Sequence, residues 1–489
     1  MTIYAGLPEI LTVKQDGASM TKNYYCMATA AALLVLAALI GTVAGAATSP
    51  VVEWESWLGS TGHESIHDIY ESGDGGYLLA GNSTSANGTG DAYLIKIDGN
   101  GTKVWEKTYG GSGEDVFMGV EPANNGFVMV GTTATGANAP DRLLLVKVDL
   151  NGTKVFETNA SGRGIARGLG VLEVSDGSFI AVGLSAASAT APNDIYLAKF
   201  SATGAKTWEK YFGGQGEDRA FAIVEAADGG YVVTGAMTRD GQTTADAYLL
   251  KIDKDGAKAW EKFYGVGDRQ EVGFDLTRMA DGGFLVVGRS FTGPNWWGIP
   301  ESSEIYVLRT DRDGVKQWEQ TYGGAGFDRA WDAEELSDGY AIFGSKTMTD
   351  GTEDFLLMKL TKAGMVTWEQ TLTAGAGHDR GYAMQETPDG GWIVAGSSDS
   401  KGAGGRDIWV VKLAPEEAWT EATTTSNATA TANATANATA TLLTTTPAPT
   451  VSGAPNATTA APTTTRAPLG LAAAFAALGG AALLAARRR

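Results

Sequence analysis

Acidic side chains recur at one kind of position along this 489-residue sequence, and they are the first residues with chemistry to offer. Glu64, Asp115, Asp218, Asp328 and Asp379 each sit beside a glycine-rich segment, Glu271 joins them after one insertion, and Arg219, Arg329 and Arg380 directly follow three of them. Carboxylates repeated at such loops suit two jobs. They can accept hydrogen bonds from loop amides or pair with arginine, pinning one unit of the chain to the next. Alternatively they gather at a channel mouth and hold a cation or a polyol. The only histidines, His63, His67 and His378, lie near Glu64 and Asp379, and they would cluster as candidate ligands for a metal if the two ends of the repeat region were neighbours. Their spacing matches no established ligand motif. Asn295, Trp296 and Trp297 stand in a Gly/Pro-containing insertion over 291–300. Paired indoles in such a loop suit stacking on a sugar ring or a partner, and equally suit folding back on their own unit. The sequence shows no nucleophile elbow, no His-Glu-x-x-His and no phosphate loop, so no catalytic residue is assigned.

The elements that must position these residues are repeats. Trp105–Asp115 reads WEKTYGGSGED, Trp208–Asp218 reads WEKYFGGQGED and Trp318–Asp328 reads WEQTYGGAGFD; weaker copies start at Trp54, Phe156, Trp260 and Trp368, so that successive anchors lie 50 to 58 residues apart. Self-similarity at this period means one supersecondary unit copied, each copy burying its apolar face on its neighbours. Within one copy, short β-rich runs over 115–122, 127–132, 143–148 and 154–158 are separated by glycine-rich turns. Four short strands per unit predict a propeller blade. We label them A to D. The chain enters on a lone D-type strand at Trp54 and ends on a C-type strand, Asp407 to Leu413. The expectation is an all-β, seven-bladed propeller over 47–415, in which the N-terminal strand completes the last blade, with Trp54 beside Trp409, and removes exposed edges.

Repeated polar residues have structural readings as well. Asp74-Gly75-Gly76, Asp228-Gly229-Gly230, Asp281-Gly282-Gly283 and Asp389-Gly390-Gly391 fall between A and B, where glycine supplies the positive φ of a tight turn. Asp98 to Gly101 and Asp253 to Gly256 do the same between C and D. Asp-x-Asp-Gly also begins a calcium loop, but the pattern stops without a glutamate at its end. Each C strand carries a base (Lys96, Lys147, Lys199, Lys251, Arg309, Lys359, Lys412), usually with an acid five residues earlier, read as blade-to-blade ion pairs or solvated edges. The expected cofactor is none, with Ca2+ or another divalent cation as the alternative.

The formal net charge is -19, with no basic stripe, which argues against nucleic acid as a partner. Gly is 66 of 489 residues without a triplet period, consistent with many turns. Cys26 is the only cysteine and precedes an apolar run, so no intramolecular disulfide forms. Residues 1–46 read as a secretory signal peptide, with Lys22, an apolar stretch to Ile40, an Ala44-Gly45-Ala46 cut and Met20 as the alternative start. Residues 416–467 are a Thr/Ala/Pro-rich stalk, expected to be extended and glycosylated. Sequons lie at Asn427, Asn433, Asn437 and Asn456, and in the early repeats at Asn82, Asn87, Asn100, Asn151 and Asn159. Residues 468–489 are an apolar anchor closed by three arginines, whose charge favours the cytoplasmic side.

Trp-x-x-x-Tyr-Gly-Gly-x-Gly-x-Asp, Asp-Gly-Gly-Tyr and Asp-x-Tyr-Leu-x-Lys together resemble the seven-bladed β-propeller repeat family (SBBP), over nearly all of residues 51–413. The resemblance implies a secreted propeller and no particular reaction. The Thr-rich stalk, Pro468-Leu469-Gly470, apolar helix and basic tip resemble the archaeal PGF-CTERM sorting tail, without the Gly-Phe of that pattern; it implies processing and lipid anchoring, against a permanent transmembrane anchor. Asp-x-x-Gly-x-x-x-Trp also resembles the Trp-docking repeats of quinoprotein dehydrogenases, which pair adjacent cysteines that this chain lacks. The expected function is a surface-anchored extracellular module for adhesion or cell-envelope assembly, with a glycan or surface protein as ligand. The alternatives are a secreted polysaccharide hydrolase or lyase, a quinoprotein-like enzyme, and a purely structural envelope protein.

Overall fold

The computed structural model describes residues 49–84, 90–136, 139–239, 241–242, 244–293 and 302–416. They form 28 β-strands in seven four-stranded antiparallel sheets. In blade one the strands are His63–Glu71 (A), Tyr77–Thr84 (B), Gly90–Ile97 (C) and Lys103–Tyr109 (D), hydrogen-bonded in that order. The A strands touch one another in a closed circuit from blade one to blade seven and back. They therefore surround the central axis, and the D strands form the rim.

Burial follows the same order. B and C strands are apolar on both faces, as in Gly126–Thr133 and Arg142–Asp149, because each sheet is sandwiched between two neighbours. D strands such as Lys103–Tyr109 alternate between exposed and half-buried positions. The apolar core is thus a set of inter-blade layers rather than one central mass.

Blade seven consists of Asp379–Glu386, Trp392–Ser398, Asp407–Leu413 and the N-terminal strand Val52–Leu58. The ring closes as the strand count requires, with a register detail that differs from expectation. Trp57 faces Trp409 and stacks on it at 5.4 Å, whereas Trp54 faces Lys412. Trp54 thereby takes the place that Trp105, opposite Lys96, and Trp208, opposite Lys199, hold in their own blades.

The D-strand anchors join blades at the rim. The C–D turn glycine of the next blade lies under six of the seven aromatic rings: Gly152 has φ +71°, and a Cβ there would sit 2.6 Å from Trp105. Blade seven has no C–D turn, and Trp368 donates to Glu416 at 3.0 Å instead. The Tyr109 hydroxyl donates to the Gly152 carbonyl at 2.7 Å, and Tyr264 does the same to Gly314 at 2.6 Å. Only glycine permits both this backbone conformation and this approach.

The bases on the C strands pair differently from the sequence reading. Lys96 binds Asp74, Lys251 binds Asp228, Arg309 binds Asp281, Lys359 binds Asp338 and Lys412 binds Asp389, each within its own blade and across the A–B turn. An acid five residues earlier on a strand points to the opposite face, so it cannot reach. In blade two that turn holds Asn124 and Asn125 instead of an acid, and Lys147 lies over the Phe179 ring of blade three at 5.4 Å.

Candidate functional site: the central channel

Every A strand carries a β-bulge at the same point, for example between Ile66 and Asp68, Phe117 and Gly119, and Ala330 and Asp332. A bulge inserts one residue and re-aims its side chain. The residues so placed are His67, Met118, Leu169, Phe221, Phe274, Trp331 and Tyr382, and together they form a belt across the channel. Five of the seven are aromatic or imidazole rings in contact around the axis. Phe221 meets Phe274 edge-on at 5.1 Å, Phe274 stacks on Trp331 at 4.2 Å, Trp331 meets Tyr382 at 5.6 Å, and Tyr382 meets His67 at 5.3 Å.

Two polar layers flank this belt. Two residues before the bulge, towards the D–A loops, stand Arg167, Arg219, Arg329 and Arg380, all buried. Arg167 pairs with Asp141 of the preceding blade at 2.6 Å, while Arg329 and Arg380 share Glu353. Burial, with Arg167 close by, holds Arg219 well below the ordinary arginine value. Burial likewise lowers Arg289 to about 9, helped by Arg329.

On the other side of the belt, towards the A–B turns, the channel widens into a cavity of about 350 Å³. Asp68, Asp275 and Asp332 occupy the position just after the bulge, and Glu121 and Glu334 lie two residues further on. The edges of the A strands are unpaired there, and the carboxylates satisfy them across blade boundaries. Asp68 accepts from the Val120 amide and Asp332 from the Met384 amide, both at 2.8 Å; Glu334 accepts from the Glu386 amide at 3.1 Å. Burial pushes Asp68 up to about 7, Glu121 up to about 8, Asp275 up to about 6 and Glu334 up to about 7. Asp332 is raised well above the usual range, by burial first and by Asp275 second. Neighbouring carboxylates add to the rise at Asp68, Glu121 and Glu334.

The acids singled out from the sequence do something else. Glu64, Asp115, Asp218, Glu271, Asp328 and Asp379 are buried beneath their own D–A loops. Asp218 accepts from the amides of Gly214 (2.8 Å) and Thr238 (2.7 Å), and Asp328 from Gly324 (2.7 Å) and Thr347 (2.8 Å). Asp115 accepts from Gly111, Asp379 from Ala374, and Glu64 from Ser60, whose hydroxyl it also holds. Glu271 takes the Ser290 hydroxyl at 2.8 Å, and burial pushes it up to about 7. None of these six lines the channel cavity.

The three histidines are not gathered. His63 is exposed beside Arg406, the bulge turns His67 into the channel, and the His378 ring nitrogen accepts from the Glu353 amide at 3.2 Å. Burial lowers His67 to about 4, so it is neutral near pH 7. Among the described residues no set of three or more His, Cys, Asp or Glu side chains is poised around a metal position. The Asp98 and Asp253 carboxylates of the calcium-like turns accept turn amides, from Asn100 and Thr102 and from Asp255 and Ala257 respectively. Asn100, Asn151 and Asn159 are exposed, whereas Asn82 is half-buried and hydrogen-bonded to His67. Asn295, Trp296, Trp297, Asn87, Asn427, Asn433, Asn437 and Asn456 lie outside the described residues, as do the signal, stalk and anchor segments.

The channel carboxylates escaped the sequence reading because they do not repeat. Aligning the copies on the bulge gives Asp68, Gly119, Gly170, Ala222, Asp275, Asp332 and Ala383 at one position. That variability was the available signal.

No protein-family model matches the chain, and no curated protein does. Among solved structures, a protein of unknown function from Dyadobacter fermentans is 12% identical over 75% of this chain and 99% of its own, with a TM-score of 0.42. The polysaccharide lyase Uly1 is 12% identical over 76% and 95%, with a TM-score of 0.44. The β-propeller domain of the Trilobed protease from Pyrococcus furiosus, described as having an open velcro topology, is 9% identical over 72% and 96%, with a TM-score of 0.40. Such likenesses carry no activity across. The seven-bladed architecture rests on the strand pairings of this chain.

Proposed function

We propose that this protein is an extracellular, surface-anchored propeller that binds a glycan or surface protein in adhesion or envelope assembly. One observation carries the reading. The residues repeated from blade to blade are consumed in fixing turns and joining blades, while the positions facing the channel differ from blade to blade. A scaffold that is uniform where it packs and individual where it encloses space suits a binding module. The acidic surface, the stalk and the anchor agree with display outside the cell. The Trp296–Trp297 insertion, in the sequence between the B strand Phe284–Phe291 and the C strand Ser303–Thr310, adds a second contact region.

The test is retention of the purified full chain on isolated cell envelopes. The wild-type chain is expected to bind, and replacing Trp296 and Trp297 by alanine is expected to weaken binding with the melting temperature unchanged. No retention of the wild type overturns the reading. A polysaccharide-cleaving enzyme is the second reading, favoured by the channel carboxyls whose protons are held to near pH 7, the range a general acid needs. Release of new reducing ends from a polysaccharide, lost in Glu334→Gln, would establish it.

A further inference from the structure

Two donors on the channel belt have no acceptor among the described residues. The indole N–H of Trp331 and the hydroxyl of Tyr382 are sealed from solvent without a hydrogen-bond partner, and both residues line the 350 Å³ cavity. Tyr382 is only 4% exposed. Leaving such groups unsatisfied is costly, so a partner is expected in the functional state.

The same cavity has acceptors in excess. Asp68, Asp332 and Glu334 each use a carboxylate oxygen on an edge amide and retain further lone pairs. Glu121 faces the cavity with no hydrogen bond among the described residues. Phe221 and Trp331 are half-buried and line the cavity.

We infer that the cavity on the A–B turn side of the belt binds a neutral sugar ring. This rests on the glycan form of the proposed function and names its ligand class and site. A pyranose carries hydroxyls that both donate and accept around an apolar ring face. With a small rotation of the belt rings it supplies oxygen acceptors to Trp331 and Tyr382, and it donates to the carboxyls and packs on the aromatic belt. An anion adds negative charge where burial and neighbouring acids already keep the carboxyls from ionising, in a chain of net charge -19. An apolar ligand leaves the carboxyls stranded. A bare cation or an amine gives the indole N–H nothing to donate to. The volume lies within the range of small-molecule sites, about 300–1,000 Å³.

The experiment is calorimetric titration of the full chain with neutral hexose and N-acetylhexosamine oligosaccharides, and with uronate-bearing ones. At least one neutral oligosaccharide is expected to bind, and uronates to bind at least about tenfold more weakly. Trp331→Phe keeps the ring and removes the donor; it is expected to weaken the neutral sugar about tenfold. Glu121→Leu removes a buried carboxyl without stranding a partner, so it folds, and it is expected to weaken binding similarly. Thermal unfolding monitors both variants, and if Trp331→Phe does not fold, Glu121→Leu decides. The inference is overturned if no neutral oligosaccharide binds, if uronates bind as tightly, or if affinity is unchanged in the variants that fold. Envelope retention is measured in parallel. Retention that survives both substitutions and is not competed by the sugars removes the channel site and leaves surface binding intact, whereas sugar binding without retention removes the adhesion reading alone.

Discussion

At the scale of single residues, the repeated acid of the D–A loop serves as an anchor for backbone. Asp218 illustrates it: both oxygens accept amides, one from the inter-blade loop and one from the end of the B strand, and the group is fully buried. Burial first, and a neighbouring carboxylate second (Asp91, Glu304 and Asp399 respectively), raise the carboxyls of Asp115, Asp328 and Asp379, while their amide bonds pull the other way. Such a residue is retained because its removal leaves two donors without water or partner. Asp218→Ala is therefore expected to lose about 1–3 kcal/mol for each orphaned amide, read as a lower urea midpoint with an unchanged m-value. Asp218→Asn keeps one acceptor and should fall between. A midpoint unaffected by alanine would mean that the loop finds other partners and that this position is free for ligand chemistry after all.

At the scale of elements, the repeated glycines fall into two kinds that sequence alone does not separate. Gly229, in an A–B turn, has φ +80° and open space where a Cβ would go. Gly152, in a C–D turn, has φ +71° and the Trp105 ring 2.6 Å from that point. Gly229→Ala is expected to cost only the left-handed backbone, about 1–2 kcal/mol. Gly152→Ala adds the displacement of an inter-blade aromatic, so its denaturant midpoint should fall clearly further; equal losses would show that the rim contact contributes nothing. The same contrast marks what was legible. The period of the Trp anchors, the turn glycines and the unpaired terminal strands announced blade, count and closure, because these depend on residue type and spacing. The bulges did not show, since an extra residue in a strand leaves no mark in composition, and His67 and Trp331 could be aimed at the channel only once the register was known. The C-strand bases were visible but their partners were not, because pairing depends on which face of a sheet each residue occupies.

At the scale of the whole molecule, the channel gathers acidic groups in a chain that already carries -19. Asp68, Glu121, Asp275, Asp332 and Glu334 all bind protons more tightly in the folded ring than in the unfolded chain, with His67, Tyr70 and Tyr382 as the other titratable groups facing them. The sign follows from linkage. A carboxyl whose value is raised on folding leaves the native state with more bound protons between the unfolded and folded values, so stability declines as pH rises through that window. Here the window runs from the ordinary carboxylate range up to about 8, the value for Glu121. The propeller is thus expected to melt at a higher temperature at pH 5 than at pH 8.5, the opposite of a protein held together by depressed surface carboxylates. The exposed turn acids Asp74 and Asp389, each lowered to about 2 and bound to lysine, stay ionised throughout that interval and do not offset the trend. Glu121→Gln removes the most strongly shifted of the four carboxyls with assigned values and leaves no backbone amide stranded. It should raise the melting temperature at pH 8.5, leave it unchanged at pH 5, and so flatten the profile. A melting temperature that climbs steadily from pH 5 to pH 8.5 would show that the channel stays hydrated and its acids ordinary, and the electrostatic character assigned to the ring would then fall with it.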